Sequence, residues 1–317
     1  VTVLCARWWW FDGTVWEDGD VTYRAVCDRA TAGTFAARLP VHLARVNPDV
    51  VHAAVSPPAA VASARVVTTA LRVPLIVDWW ADHPADRPEA YRRIARLPAT
   101  VTVPSRLAAT DAREHGVAKD RVTVAPEPVD YERVRAAPVD GRADVVYARR
   151  LDADANVESL LLALAELRDL SWRAAVVGDG PARPAAEKAD ADLRIGDRVD
   201  FLGDLPLADL LPVLRGAHVF AQTATSERFA SELCWALACG CVGVVEYQAD
   251  SAAHELIEGD RSGVSVTSPQ ELADEIATAA ERDRRLVNDS FAEFDRPAVL
   301  RRLEDCYRAA AEGRGLR

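Results

Sequence analysis

The sequence predicts an α/β protein built from two Rossmann-like domains facing a cleft. Three observations carry that prediction. Short apolar strands alternate with helical patterns along the whole chain, the signature of parallel α/β construction. The 317 residues suffice for two domains, each with its own core. A turn-rich stretch, Ala136-Ala137-Pro138-Val139-Asp140-Gly141, separates one α/β series from the next.

In the first series, apolar runs place strands at Val1–Cys5, Thr22–Val26, Val50–Ala53, Leu75–Asp78, Val101–Val103 and Val122–Ala125. Helical patterns lie at Phe35–Val46, Pro58–Leu71 and Arg106–His115. The second series opens with strand Val145–Ala148 and helix Val157–Leu167, where Leu160, Leu161, Leu164 and Leu167 share one face. It continues as strand Ala174–Val177, helix Ala182–Leu193, strand Val199–Leu202, helix Leu207–Leu214 and strand Val219–Gln222. Helix Phe229–Cys239, strand Val242–Glu246 and helices Ala252–Ile257 and Pro269–Arg282 follow. The last helix, Pro297–Ala311, carries Leu300, Leu303, Tyr307 and Ala311 at helical spacing. The domains are therefore drawn at 1–138 and 139–296, with a final helical segment at 297–317. The chain opens on an apolar run and contains no Met, so the expected N-terminus lies upstream of Val1.

Composition narrows the function. The formal net charge is −11 and the pI about 5.1, a field that argues against nucleic acid as a partner. No apolar run reaches the roughly 20 residues of a membrane-spanning helix. Arg outnumbers Lys by 36 to 2, and Asp outnumbers Glu by 30 to 19. That balance suits a salt-loaded, haloarchaeal type of cytoplasm, where a Debye length of about 3 Å screens self-repulsion; GC-rich coding also favours Arg. The six Cys are scattered, and Cys239-x-Cys241 lacks zinc-knuckle spacing. A reducing, cytoplasmic compartment is expected, and no metal site.

Two motifs carry chemistry. Val176-Val177-Gly178-Asp179-Gly180-Pro181 joins a strand to a helix, and glycines there let backbone approach a phosphate or sugar. Arg183 occupies the place of the third glycine of a dinucleotide fingerprint, which argues against an NAD enzyme. A tight turn with no ligand is the alternative. In Thr225-Ser226-Glu227-Arg228-Phe229-Ala230-Ser231-Glu232, Thr225 or Ser226 is expected to cap the helix. Glu227 then suits its positive end, and the amides near Phe229, Ala230 and Ser231 offer an anion site. An ordinary acidic first turn is the alternative.

Arg150-Leu151, Gly178-Asp179-Gly180-Pro181, Val199-Asp200-Phe201-Leu202-Gly203, Glu227-x-Phe229-Ala230 and Ala236-Leu237-Ala238-Cys239-Gly240 stand in the order and spacing of a known group. Together they resemble the GT-B glycosyltransferases, the retaining group called family 4. The resemblance is close over about residues 142–268. It is looser in Pro48-Asp49-Val50-Val51-His52-Ala53 and Pro126-x-Pro128-Val129-Asp130, where Glu127 and Pro128 replace the family's Asn and Gly. The first strand, its Gly-rich loop and the first helix have no counterpart here.

The resemblance implies a transferase that moves a sugar from a nucleotide-diphosphate-sugar, a co-substrate rather than a cofactor, without a metal. The N-terminal domain would hold a glycan, lipid or lipid-linked acceptor, and the final helix would cross back onto it. It implies that Glu227 contacts the donor sugar, that Phe229, Ala230 and Ser231 bind sugar and diphosphate, and that Arg150 neutralises the leaving group.

Departures qualify this. The family's Lys is Ala155 here, and Arg149 is an added cation able to restore its charge. The second family Glu is Trp235. At about 100° per residue, Trp235 lies about 80° and Glu232 about 140° round a helix from Glu227. Glu232 is expected to recover part of the ribose contact, with Trp235 beside the nucleoside or simply filling core. Trp80 stands where the family places a His, leaving His83 as a catalytic stand-in or a surface group. Trp8, Trp9 and Trp10, with Phe11 and Trp16, form an aromatic cluster on the acceptor side. Such rings stack on sugars, make peripheral contact with the cytoplasmic membrane face, or fold over the core. The rival readings are a catalytically degenerate GT-B binding or scaffold protein and a nucleotide-sugar epimerase.

Overall fold

A strand that is apolar at every position needs cover on both faces, which in parallel sheets comes from crossover helices. Both halves of this chain are built that way. The computed structural model describes all residues except 29–30, 81–87, 260–261, 280 and 314–317.

One unit comprises Val1–Ala125 with Arg301–Arg317. Its strands β1 (Thr2–Ala6), β2 (Val15–Asp18) and β3 (Val21–Cys27) form a sheet of order β1-β3-β2, with β1 parallel and β2 antiparallel to β3. The β2–β3 hairpin departs from the all-parallel expectation, because the short, largely exposed β2 has no apolar run to mark it. Helix α1 (Ala32–Val46) packs on β1 and β3. A second, four-stranded parallel sheet runs in chain order through β4 (Val51–Ala54), β5 (Leu75–Asp78), β6 (Thr100–Val103) and β7 (Val122–Val124). Its connections carry α2 (Pro58–Leu71), α3 (Pro88–Ile94) and α4 (Arg106–Glu114). Alternation along β5 divides the labour. Leu75 and Val77 join the cluster of Val61, Ala64 and Val101, whereas Ile76 on the other face meets Cys306 and Ala310 of the final helix.

A polar chain lies beside that contact. The Tyr307 hydroxyl is 2.9 Å from His52 Nδ1, His52 Nε2 is 3.2 Å from Thr102 Oγ1, and Thr102 donates to Asp78 Oδ1 at 2.8 Å. Burial lowers the His52 imidazole and raises the Asp78 carboxyl, each partly opposed by the other's charge.

The other unit is Pro126–Leu300. In order it contains α5 (Tyr131–Ala136), β8 (Val145–Ala148), α6 (Val157–Glu166), β9 (Ala174–Val177), α7 (Arg183–Leu193) and β10 (Val199–Gly203). Then come α8 (Leu207–Gly216), β11 (Val219–Gln222), β12 (Ser226–Glu227), α9 (Ser231–Ala238), β13 (Val242–Glu246), β14 (Asp250–Ser251), β15 (Gly263–Val266) and α10 (Pro269–Ala279). Helix α11 (Arg296–Glu312) starts in this unit and ends in the first. The six-stranded sheet is parallel throughout, in the order β10-β9-β8-β11-β13-β15. Successive residues of each strand serve opposite cores. Val145, Tyr147, Ala174, Val176 and Val219 pack with the helices α6, α7 and α10; Val146, Ala148, Ala175, Val177 and Phe220 pack with α8 and α9. Among the described residues no helix is long and apolar enough to cross a membrane.

The units divide at Ala125/Pro126, ahead of the 138/139 division that the turn residues suggest. Residues 126–136 carry their own contacts to the second unit. Val129 bridges to Asp295, Val129, Tyr131 and Val134 enter the α8–α9 core, and the Tyr131 hydroxyl donates to the Asn288 carbonyl at 2.6 Å. A Tyr131→Phe variant leaves that carbonyl without its partner, at an expected cost of about 1–2 kcal/mol to this unit. Amide hydrogen exchange should show the loss in β8–β11 amides while those of β4–β7 keep their protection.

Candidate active site

Strands β8 and β11 are hydrogen-bonded neighbours, although β9 and β10 separate them in sequence. From β8 the chain winds outward in one direction, and from β11 in the other. Such a reversal leaves the carboxyl ends of the two strands without a covering crossover, the place where open α/β sheets bind ligands. The loops leaving these two ends carry most of the expected site residues.

Arg149 follows β8 directly, with its side chain 11% exposed. Its Nη1 is 3.1 Å from Glu227 Oε1, and its Nη2 is 3.2 Å from Asp152 Oδ1. It also donates to the carbonyls of Arg150 and Asp154, each at 3.1 Å. A guanidinium held by four acceptors in a fixed fork is an ordered cation, not a floating one. Arg150 is exposed and makes no ion pair among the described residues. Ala155 is buried, and its carbonyl accepts the Tyr147 hydroxyl at 2.5 Å. Asn156 Nδ2 donates to the Thr223 carbonyl at 2.9 Å, pinning the loop after β8 to the loop after β11.

The Gly178–Gly180 turn packs under the same loop. Both glycines have positive φ, 124° and 154°. A Cβ on Gly178 would stand 1.9 Å from the Arg149 carbonyl oxygen, and one on Gly180 would stand 2.3 Å from that of Leu151. The close approach these glycines permit is thus to the backbone that carries Arg149 and Arg150. Asp179 is occupied locally, accepting from the Gly180 amide and pairing with Arg183 at 3.3 Å.

The segment after β11 differs from its expected form. Ser226 and Glu227 form β12, paired with β14, and α9 begins only at Ser231. Its N-cap is Ala230, without a side-chain cap, so neither Thr225 nor Ser226 caps it; Thr225 is drawn instead to Asp154. Because Glu227 is not helical, its angular relation to Glu232 and Trp235 does not follow helical geometry. Phe229 is buried beside Phe294, and Ala230 is fully buried. The Ser231 amide is bonded to the Phe229 carbonyl and its hydroxyl donates to the Glu127 carboxylate. Glu232 and Trp235, one turn apart on α9, are both partly buried, with Trp235 packed against the core. Burial pushes the Glu232 carboxyl above its ordinary value, opposed by its own amide and reinforced by the charge of Glu127.

In the first unit, Trp9 is buried and donates to the Gly13 carbonyl at 2.9 Å, whereas Trp8 and Trp10 are 62% and 95% exposed. Trp8 meets Trp16 edge-on at 4.8 Å, and Trp16 stacks on Tyr23 at 4.9 Å. Trp80, beyond the end of β5, is 37% exposed. His83 lies outside the described residues.

Residues 130–290, half of the chain, match the family model for glycosyl transferases group 1. The chain belongs to that family. Residues 1–128 match the model of a glycosyl transferase 4-like domain. A curated relative, the 2-deoxystreptamine glucosyltransferase of Streptomyces kanamyceticus, is 28% identical over 166 residues. The match covers 48% of this chain and 42% of the relative, less than half of its length. Among solved structures, a Rickettsia africae glycosyltransferase aligns with a TM-score of 0.75 at 15% identity, over 92% of this chain and 85% of that one. Anabaena HepE, solved with UDP, aligns with a TM-score of 0.70 at 19% identity over the same shares. Sucrose-phosphate synthase from Thermosynechococcus elongatus aligns with a TM-score of 0.71 at 16% identity, over 99% and 87%. These likenesses establish the fold as GT-B, with two Rossmann-like units.

Within this group 1 glycosyltransferase chain, Glu127 and Asp152 belong to the site by contact and were not among the residues expected there. Asp152 lies three residues from Arg149, a spacing that could have marked it. Glu127 carried only its departure from the family's Asn. Removing Arg149 takes the guanidinium from Glu227 and Asp152 in a partly buried setting, so Arg149→Met should cost about 2–4 kcal/mol. The Arg149→Met/Glu227→Gln double variant should cost less than the sum of its single variants, a coupling that a double-mutant cycle of urea midpoints measures.

Proposed function

We propose that this chain transfers a sugar from a nucleotide-diphosphate-sugar to a hydroxyl-bearing acceptor, a glycan, lipid or lipid-linked sugar. The observation that carries this reading is the Arg149–Glu227 pair, 3.1 Å apart at the carboxyl ends of β8 and β11. The pair fixes a carboxylate that can accept from sugar hydroxyls beside cations suited to a diphosphate. In the transfer, the bond from the anomeric carbon to the diphosphate oxygen breaks and a bond to the acceptor oxygen forms. Negative charge grows on the departing diphosphate, whose oxygen takes up the proton that the acceptor hydroxyl loses.

The exposed Arg150 supplies mobile charge to that leaving group, and ordered Arg149 holds the field and Glu227 in place. Glu227 positions the donor sugar; Phe229, Ala230 and Ser231 shape the start of α9 for the phosphates. Glu232 and Trp235 line the nucleoside side, and Gly178, Asp179 and Gly180 support the loop from below. The reaction needs no metal in this reading, and retention of anomeric configuration accompanies the family resemblance. Trp8, Trp9, Trp10 and Trp80 belong to the acceptor side, and His83 is a catalytic candidate on the sequence alone, as the stand-in for the family's His. The setting is the cytoplasm or its membrane face, with molar salt as the working medium.

The degenerate-binder reading keeps one specific observation in its favour, the buried Ala155 in the place of the family's Lys. Thermal stabilisation by UDP, GDP, ADP and dTDP in molar KCl tests the proposal. A nucleotide present at a hundred times its Kd should add about 2.7 kcal/mol of stability. One responding nucleotide, followed by release of that nucleotide from its sugar conjugate only when acceptor is present, is the expected outcome. Binding without turnover selects the degenerate binder, turnover without acceptor selects hydrolysis or epimerisation, and silence from all four removes the donor reading.

A further inference from the structure

An anion already stands at the start of α9. The helix has eight residues and no side-chain cap; its Ser231 amide is bonded to the Phe229 carbonyl and its Glu232 amide to the Glu232 carboxyl, so the donor at the helix start that meets an anion is the Ser231 hydroxyl. The group that approaches comes from elsewhere in the chain: the Glu127 carboxylate accepts the hydroxyl of Ser231, 104 residues away. Glu127 is exposed, so this bond is weak enough to exchange with a ligand. Its charge is felt further along the helix, where it adds to the upward shift of both the Glu232 carboxyl and the Cys234 thiol. The nearby cation Arg149 is already bound by Glu227 and Asp152.

We infer that Glu127 is a specificity-determining residue that holds the diphosphate position at the start of α9 as an internal anion and is displaced when donor binds. The inference rests on the donor reading above and adds to it a residue that sets donor affinity. Nucleotide can enter only from the fraction of molecules in which Glu127 has let go, so the apparent Kd is raised by that fraction. Glu127 also repels the incoming phosphates. The effect grows with phosphate charge and does not touch the nucleoside. It shrinks in molar salt, which screens exposed charges.

The test uses isothermal titration of wild type and Glu127→Gln with UDP, GDP, ADP and dTDP at low ionic strength. The nucleoside and monophosphate of the binding base follow. Glutamine keeps the shape and removes the charge. The expected result is diphosphate binding about three- to tenfold tighter in the variant, monophosphate less affected, nucleoside unchanged, and the difference reduced in molar KCl. An unchanged diphosphate Kd overturns the inference while leaving the donor reading intact, and so does equal tightening of diphosphate and nucleoside. Failure of both proteins to bind any diphosphate overturns the donor reading and this inference together.

Discussion

The reversal of winding between β8 and β11 is the constraint on which the second unit depends. Adjacent strands whose chains leave in opposite directions cannot share a crossover, so the space above their carboxyl ends has to be closed by loops. Here the closure is polar. Arg149 reaches from the end of β8 to Glu227 beyond β11, and Asn156 reaches from the same loop to the Thr223 carbonyl. The loop after β8 is supported from beneath by Gly178 and Gly180, where any side chain would collide with the carbonyls of Arg149 or Leu151. The glycine turn and the cation are therefore one construction: the turn permits the backbone path that delivers the guanidinium.

The Arg-rich composition matters for this arrangement. A lysine could meet one carboxylate as a point charge. The fork of Arg149 meets Glu227, Asp152 and two backbone carbonyls at once. Taking such a group out of water is favourable only when its donors are satisfied, and the short segment Arg149–Asp154 supplies three of the four acceptors. Ala155 fits the same logic, because its small buried side chain lets the loop close on Tyr147 and Thr223.

How legible each part was in the sequence follows from the range of the forces that set it. Strands β5, β8, β9, β11 and β13 were readable to the residue because each is a continuous apolar run covered on both sides. The hairpin strand β2 and the two-residue strands β12 and β14 were not, since each is held by pairing with a partner rather than by its own pattern. The start of α9 was misplaced for the same reason. Ser226 and Glu227 satisfy their backbone across to Asp250 and Ser251, which removes them from the helix whose cap the residue types Thr225 and Ser226 suggest. The unit boundary was hidden because Ala136–Gly141 has turn composition, whereas Val129 and Tyr131 commit the preceding residues through Asp295 and Asn288, far along the chain.

Within the second unit, the departures from the family pattern are concentrated in space. Arg149 binds the carbonyl of Asp154, next to Ala155; its charge acts on Glu232, which neighbours Trp235; Glu127 holds Ser231 at the head of the same helix. A change at any of these positions alters the field or the packing felt by the others, so they act together and not one by one. Loss of function by drift would leave the added groups, Arg149 and Glu127, without partners. Here the added cation lies against the expected sugar-binding carboxylate, and the added carboxylate accepts a hydroxyl at the helix start. Rules broken locally and satisfied by neighbours are what a retained site looks like, and that favours a working transferase over a relic.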